Sequence, residues 1–183
     1  MIKINPEKEW GLKTVISNFY CSKNQDIENF LKKGIEGYHS TAVMLEKREI
    51  TRTFFIINNE IFEEKKEILG YFSITLKNIE FSKNVSRSKI KKIDGTSATR
   101  NSTIVYLIAQ LGKNDLHSHK ITGEELLDIA INTIEQSQKL VGGRTIMVEC
   151  EDIPQLVDFY QKNGFTFLQK NGDLKQFIKN FYT

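Results

Sequence analysis

Thr122 and Glu125 frame the most chemically suggestive stretch of the chain. A threonine followed three residues later by a glutamate is a capping box, in which each side chain bonds to the other residue's backbone amide and starts a helix. Upstream lies an apolar strand pattern, Val105-Tyr106-Leu107-Ile108-Ala109-Gln110-Leu111, followed by a short loop through Ser118-His119-Lys120-Ile121. Downstream come Gly123-Glu124-Glu125-Leu126-Leu127. A strand feeding a loop that delivers a helix N-terminus suits an anionic group, because first-turn amides and the positive end of the helix dipole point at one spot. The predicted chemistry is the holding of a phosphorylated cofactor with little charge from side chains.

Two further polar residues lie in apolar surroundings. Glu149 sits in the strand pattern Thr145-Ile146-Met147-Val148-Glu149-Cys150, where a carboxylate needs partners and is expected to have a raised pKa. It is a candidate general base, alone or through a water, and equally a structural carboxylate bonding to backbone at a strand end. Tyr160 shares a helical face with Leu156 and Phe159, which on spacing alone makes it a core aromatic. Its phenol, protonated at neutral pH, is also able to donate a proton. His117 and His119 lack a nearby third ligand, so no metal site is expected. Adjacency of Ser118 and His119 does not make a nucleophilic triad.

The elements that must position these residues are legible. Ile27, Phe30, Leu31 and Ile35 recur at helical spacing near the N-terminus. Strands are predicted over 53–57 and 68–76, joined by a polar connection from Asn58 to Glu67. The helix opened by Thr122 puts Leu127, Ile131 and Ile134 on one face, flanked by Leu126 and Ala130, and stops at Gly142-Gly143. Pro154 starts a short helix that ends at Asn163-Gly164. Strands at 165–168 and 175–178 complete a mixed α/β domain.

Length and composition agree with that picture. With 183 residues, 39% apolar and 27% charged, the chain reads as one soluble domain spanning 1–183. No apolar run reaches the roughly 18 residues a membrane span needs. Met1-Ile2-Lys3-Ile4-Asn5 lacks the apolar stretch of a signal peptide, and two distant cysteines, Cys21 and Cys150, fit a reduced cytoplasm. A net charge of +3 does not by itself imply nucleic acid. The basic character is local: Lys83, Arg87, Lys89, Lys91 and Lys92 fall between Ser82 and Ile93 with no acid among them. That stretch reads as a solvated loop between strands, or as a positively charged lip near an anionic ligand.

Taken together, Gln110-Leu111-Gly112-Lys113-Asn114, Ser118-His119-Lys120-Ile121-Thr122-Gly123 and Phe159-Tyr160-Gln161-Lys162-Asn163-Gly164-Phe165 resemble the GNAT superfamily of N-acetyltransferases. The likeness covers roughly residues 15–180. Phe19-x-Cys21, Ile27-x-x-Phe30-Leu31 and Leu69-Gly70-Tyr71-Phe72-Ser73 look like a bacterial branch that includes toxins acetylating charged tRNA. The family loop Q/R-x-x-G-x-G/A wraps the pyrophosphate of acetyl-CoA. Here Ser118 falls on its first position, Ile121 on the first glycine and Gly123 on the last, and only Gly123 matches.

The resemblance implies a mostly antiparallel mixed sheet with a central, splayed parallel strand pair, flanked by helices. It implies an acetyl-CoA-dependent N-acetyltransferase with no metal, transferring directly to a primary amine in a ternary complex. Amides from His119 to Glu124 would anchor the pyrophosphate, with Ser118 at the loop start and Lys120 adding charge. Ile121 has less backbone freedom than glycine, which implies weaker cofactor affinity unless the backbone there is ordinary. Leu111-Gly112-Lys113 would pair with the pantetheine arm, Gly112 allowing close approach. Tyr160 would be the general acid toward the departing thiolate, and Glu149, or a water, the base. The acceptor stays open among a small amine, a peptide and aminoacyl-tRNA, and a homodimer is common in the family. A toxin acting on aminoacyl-tRNA and a non-catalytic binding module are the alternatives.

Overall fold

The computed structural model describes residues 1–3, 9–34, 40–58 and 67–182. In chain order the elements are β1 (Ile2–Lys3), α1 (Glu9–Ser17), α2 (Gln25–Lys32), α3 (Thr41–Lys47), β2 (Arg52–Ile57), β3 (Ile68–Glu80), α4 (Arg87–Asp94), β4 (Ser102–Lys113), a 3-10 turn (Asp115–His117), α5 (Gly123–Val141), β5 (Thr145–Glu151), α6 (Pro154–Lys162), β6 (Thr166–Asn171) and β7 (Leu174–Asn180). They group into two compact units, Met1–Thr75 with Gln110–Ala130 and Leu76–Ala109 with Ile131–Thr183. Strands β3 and β4 and helix α5 run through both.

In the first unit the strand order is β1-β2-β3-β4. β2 and β3 pair antiparallel from Arg52 opposite Ile74 to Phe55 opposite Tyr71. Helix α2 starts because the Asn24 side chain accepts from the amides of Asp26 and Ile27 at 2.9 and 3.3 Å. Its Leu31 is fully buried and Ile27 and Phe30 pack beside it. Ile35, placed on the same helical stripe by the sequence, lies outside the described residues, as do 59–66 of the connection before β3. The core is aromatic at its centre. Phe19 meets Tyr71 edge-on at 5.1 Å, Phe30 stacks on Tyr71 at 6.1 Å, and the Tyr71 hydroxyl donates to the Ile27 carbonyl at 2.6 Å.

The sequence pattern does not reveal α1 or α3. Helix α3 has only seven residues, too few for a periodicity to show, and is fixed by tertiary bonds. The Ser40 hydroxyl caps it at the Val43 amide, and buried Glu46 accepts from the Thr53 amide at 2.8 Å while pairing with Lys3 and Arg52.

In the second unit the order is β3-β4-β5-β7-β6. β4 and β5 are parallel, paired from Tyr106 opposite Ile146 to Ile108 opposite Val148, and β7 pairs antiparallel with both β5 and β6. The parallel pairing spans three positions, yet β4 continues to Lys113 and β5 to Glu151.

The basic stretch is a helix, which corrects the loop expected for it. Ser86 caps α4 at the Lys89 amide, Gly95 closes it at φ 89°, and Ile90 and Ile93, three apart, enter the core with Val105, Leu107, Met147 and Ile178. Five cations masked those two isoleucines in the sequence. Lys83, Arg87, Lys91 and Lys92 are exposed, whereas Lys89 donates to the Phe167 carbonyl and burial pulls its pKa down.

Candidate active site

The residues expected to form the cofactor loop all belong to the first unit, and a residue not among them organises the stretch. Asn114 is fully buried at the end of β4. Its side-chain nitrogen donates to the carbonyls of Asn18 and Ile68 at 2.9 and 2.8 Å, and its oxygen accepts from the amides of Tyr20 and Leu116 at 3.1 and 3.2 Å. With its own amide bonded to the Leu69 carbonyl, Asn114 fixes where the strand ends and the turn begins. The sequence signal was an asparagine directly after a strand, a residue suited to capping the turn that follows.

Beyond the turn, Ser118, His119 and Lys120 are exposed, whereas Ile121 is buried. No residue from Ser118 to Glu124 has a positive φ. The backbone at Ile121 is therefore ordinary, and the conformational reason for weaker cofactor affinity falls away. The capping box is formed: the Glu125 carboxylate accepts from the Thr122 amide at 2.7 Å and hydroxyl at 2.9 Å, and Thr122 accepts from the Glu125 amide at 3.1 Å. Because that box uses the Glu125 amide, the first-turn amides of Gly123 and Glu124 are those without an intrahelical partner. Lys113 leans on the Ser118 carbonyl at 3.2 Å, and Lys120 pairs with Glu67 at 3.2 Å, which spends part of its charge. Exposed Glu124 adds a negative charge at the helix start.

Gly112 corrects an expectation. A Cβ there would lie 2.4 Å from Ile27 Cγ2, 2.9 Å from Tyr71 Cε1 and 3.2 Å from Phe19 Cζ. The space left by the missing side chain is filled by the protein's own core. Close approach of a ligand is not what requires glycine. Leu111 and Lys113 on either side are half-buried.

Glu149 and Tyr160 belong to the second unit. Glu149 Oε2 accepts from Lys77 Nζ at 2.6 Å, and Oε1 accepts from Gln176 Nε2 at 2.8 Å and Asn171 Nδ2 at 3.2 Å. Burial pushes this carboxyl up, but the bonds from Gln176, Lys77 and Asn171 outweigh burial and hold its pKa below the ordinary value. The raised pKa expected from the apolar strand is overturned. Its partners sit on β3, β6 and β7, so linear sequence could not pair them. The network continues inward: Gln169 donates to Gln176 at 2.8 Å and to the Glu80 carbonyl at 2.7 Å, and accepts from the Ser82 amide at 2.8 Å.

Tyr160 is buried on α6. Its ring meets Phe159 at 5.1 Å and Phe165 at 5.7 Å edge-on, and stacks on Phe177 at 6.4 Å. Burial, with Cys150 adding to it, pushes the phenol pKa well up, and no hydrogen bond to the hydroxyl occurs among the described residues. The proton therefore stays on this oxygen at neutral pH. Asn163 and Gly164, at φ 82°, end the helix and turn Phe165 into the cluster.

No protein-family model and no curated protein matches the sequence. The structure does match solved ones. AtaT complexed with acetyl-methionyl-tRNAfMet superposes with a TM-score of 0.70 at 18% identity, covering 98% of this chain and 92% of that one. The fold is the GNAT fold. AtaTR bound with AcCoA gives 0.70 at 17% identity over 97% and 91% of the two chains. A tyrosine-to-phenylalanine mutant of KacT gives 0.71 at 16% over 98% and 92%. Identities this low carry the GNAT fold itself. Among the described residues no helix is long and apolar enough to cross a membrane.

Proposed function

We propose that the chain is an acetyl-CoA-dependent N-acetyltransferase, working as one domain in the cytoplasm, and that its acceptor is the α-amino group of an aminoacyl-tRNA. The observation that carries this reading is the GNAT fold over 98% of the chain, shared with AtaT in complex with acetyl-methionyl-tRNAfMet. The AcCoA-bound neighbour supports the donor. The exposed cations of α4 support a polyanionic acceptor over a small neutral amine.

The pyrophosphate rests on the amides of Gly123 and Glu124, with Ser118, His119, Ile121 and Thr122 shaping the loop and Lys113 and Lys120 supplying charge. The main chain of Leu111-Gly112-Lys113 pairs with the pantetheine arm. The amine nitrogen attacks the thioester carbonyl and forms the amide bond. The carbon–sulfur bond breaks, Tyr160 gives its proton to the departing thiolate, and water returns a proton to the phenolate. The proton shed by nitrogen goes to water, which suffices for an α-amino group of low pKa. Glu149, held ionised, is a fixed anion of the strand.

The test is calorimetric titration with acetyl-CoA, followed by transfer of radiolabelled acetyl onto charged and uncharged tRNA. Binding, release of free coenzyme A thiol and label on charged tRNA alone are expected, as is arrest of translation on induced expression. Absence of binding at millimolar acetyl-CoA would reduce the chain to a binding module on the same fold. Label on a peptide or small amine but not on charged tRNA would keep the enzyme and discard the acceptor.

A further inference from the structure

Helix α6 carries Tyr160 on only nine residues, and its two ends are held differently. At the start, Ile153 makes no side-chain cap, and Pro154 contributes no more than a backbone angle suited to a first turn. The other end is held at several points. The Asn163 side chain donates to the Phe159 carbonyl at 2.8 Å, Gly164 takes φ 82°, and the Phe165 amide donates to the carbonyl of Tyr160 itself at 3.0 Å. A cation from another element joins them. Lys179 Nζ, on β7, donates to the Asn163 carbonyl at 3.1 Å and lies 5.8 Å from the centre of the Phe165 ring. A carbonyl at a helix C-terminus lacks an intrahelical donor, and a cation suits the negative end of the helix dipole.

Two residues before Lys179 on the same face of β7 stands Phe177, whose ring stacks on Tyr160 at 6.4 Å. Their partners on β5 are Ile146 and Val148, so the sheet fixes the spacing of the two side chains. Phe177 sets the plane of the tyrosine ring, and Lys179 sets the end of the helix that carries it. Phe165, edge-on to Tyr160 at 5.7 Å, is the piece between them. We infer that Lys179 is a positioning residue for Tyr160, holding the phenol where it can reach the departing sulfur. The role rests on the proposed reading of Tyr160 as general acid. Among the described residues Lys179 makes no bond to the hydroxyl; it acts through Asn163 and Phe165. Placement matters because proton transfer needs hydrogen-bond geometry, and a shift of about 1 Å can cost up to a hundred-fold.

The test is a double-mutant cycle on turnover. Lys179 is half-buried, and Lys179→Met keeps an apolar stem while removing the ammonium. With aminoacyl-tRNA as acceptor and acetyl-CoA saturating, turnover should fall about ten-fold, while acetyl-CoA affinity by calorimetry stays within about two-fold of the wild type. Lys179→Arg, which can donate to the carbonyl and lie over the ring, should recover turnover to within about three-fold. In a Tyr160→Phe background, Lys179→Met should cost nothing further, because no hydroxyl is left to misplace. A lysine that merely supports the fold would lower both backgrounds alike, in step with the folded fraction. Wild-type turnover in Lys179→Met, a ten-fold loss that persists in the Tyr160→Phe background, or no recovery in Lys179→Arg would each overturn the inference. Should Lys179→Met not fold, Lys179→Gln enters the same cycle with the same expected outcomes. Undiminished turnover in Tyr160→Phe alone, or a wild type without turnover, would remove the general-acid reading itself and the inference with it.

Discussion

Glu149 and Tyr160 are both polar groups set in apolar surroundings of one unit, and the protein treats them in opposite ways. Lys77, Gln176 and Asn171 occupy the two oxygens of Glu149 and keep it ionised. Tyr160 is gripped by its ring, among Phe159, Phe165 and Phe177, and its hydroxyl meets no hydrogen-bond partner among the described residues. A group whose oxygens are both engaged by its own fold is held as a fixture. A group anchored through its apolar part keeps its polar atom for a ligand. On the proposed reading, chemistry falls to the residue that looks like core and structure to the residue that looks like a base.

Tyr160→Phe is the substitution that most sharply breaks or supports this division. Removing one oxygen leaves the ring contacts intact, so the fold should persist. Turnover should fall by about a hundred-fold, the scale of a lost general acid, while acetyl-CoA affinity measured by calorimetry stays within a factor of about two of the wild type. Undiminished turnover would return Tyr160 to the core and erase the contrast.

The same division runs through the first unit, where Gly112 is consumed by packing. Gly112→Ala places a methyl group against Ile27, Tyr71 and Phe19, and the closest of these is γ-carbon of a branched, half-buried side chain. Overpacking of this kind should cost about 2 kcal/mol, read as a lower urea midpoint in the absence of any ligand. A variant of unchanged stability with weakened acetyl-CoA binding would restore the ligand-approach explanation for this glycine.

What the sequence made legible follows from range. Helix α5 announces itself through Thr122, Glu125 and its apolar stripe, all within a few turns, and α6 through Pro154 and Gly164. β5 shows through Ile146-Met147-Val148, three consecutive apolar residues bounded by Thr145 and Glu149. The partners of Glu149 were hidden because Lys77 and Gln176 lie 72 and 27 residues away. Gly112 was misread for the same reason: its neighbours Phe19, Ile27 and Tyr71 come from three remote segments. α4 was obscured differently, by a local charge run that outweighed two apolar residues on its inner face. Local chemistry survives in a linear reading, and the occupancy of a polar group does not.

The smallest effect tests the fixture side of the contrast. Glu149→Gln should lower stability at neutral pH by about 1 kcal/mol, since a charge-assisted bond from Lys77 becomes a weaker neutral one. The pH dependence carries a sign. The folded-state pKa of Glu149 lies below its ordinary value of 4.5, so its contribution is fully present above about 4.5 and is lost as pH falls through the folded value. The stability gap between wild type and Glu149→Gln should therefore be flat at neutral pH and shrink as the solution is acidified below about 4.5. Lys77→Met should narrow that window from below, because losing the ammonium lets the carboxyl pKa rise. Turnover of Glu149→Gln should stay within about five-fold of the wild type, whereas loss of a general base would cost about a hundred-fold. A hundred-fold fall with the stability gap unchanged would make Glu149 a working base despite its three donors, and saturation by the fold would no longer separate fixtures from reagents.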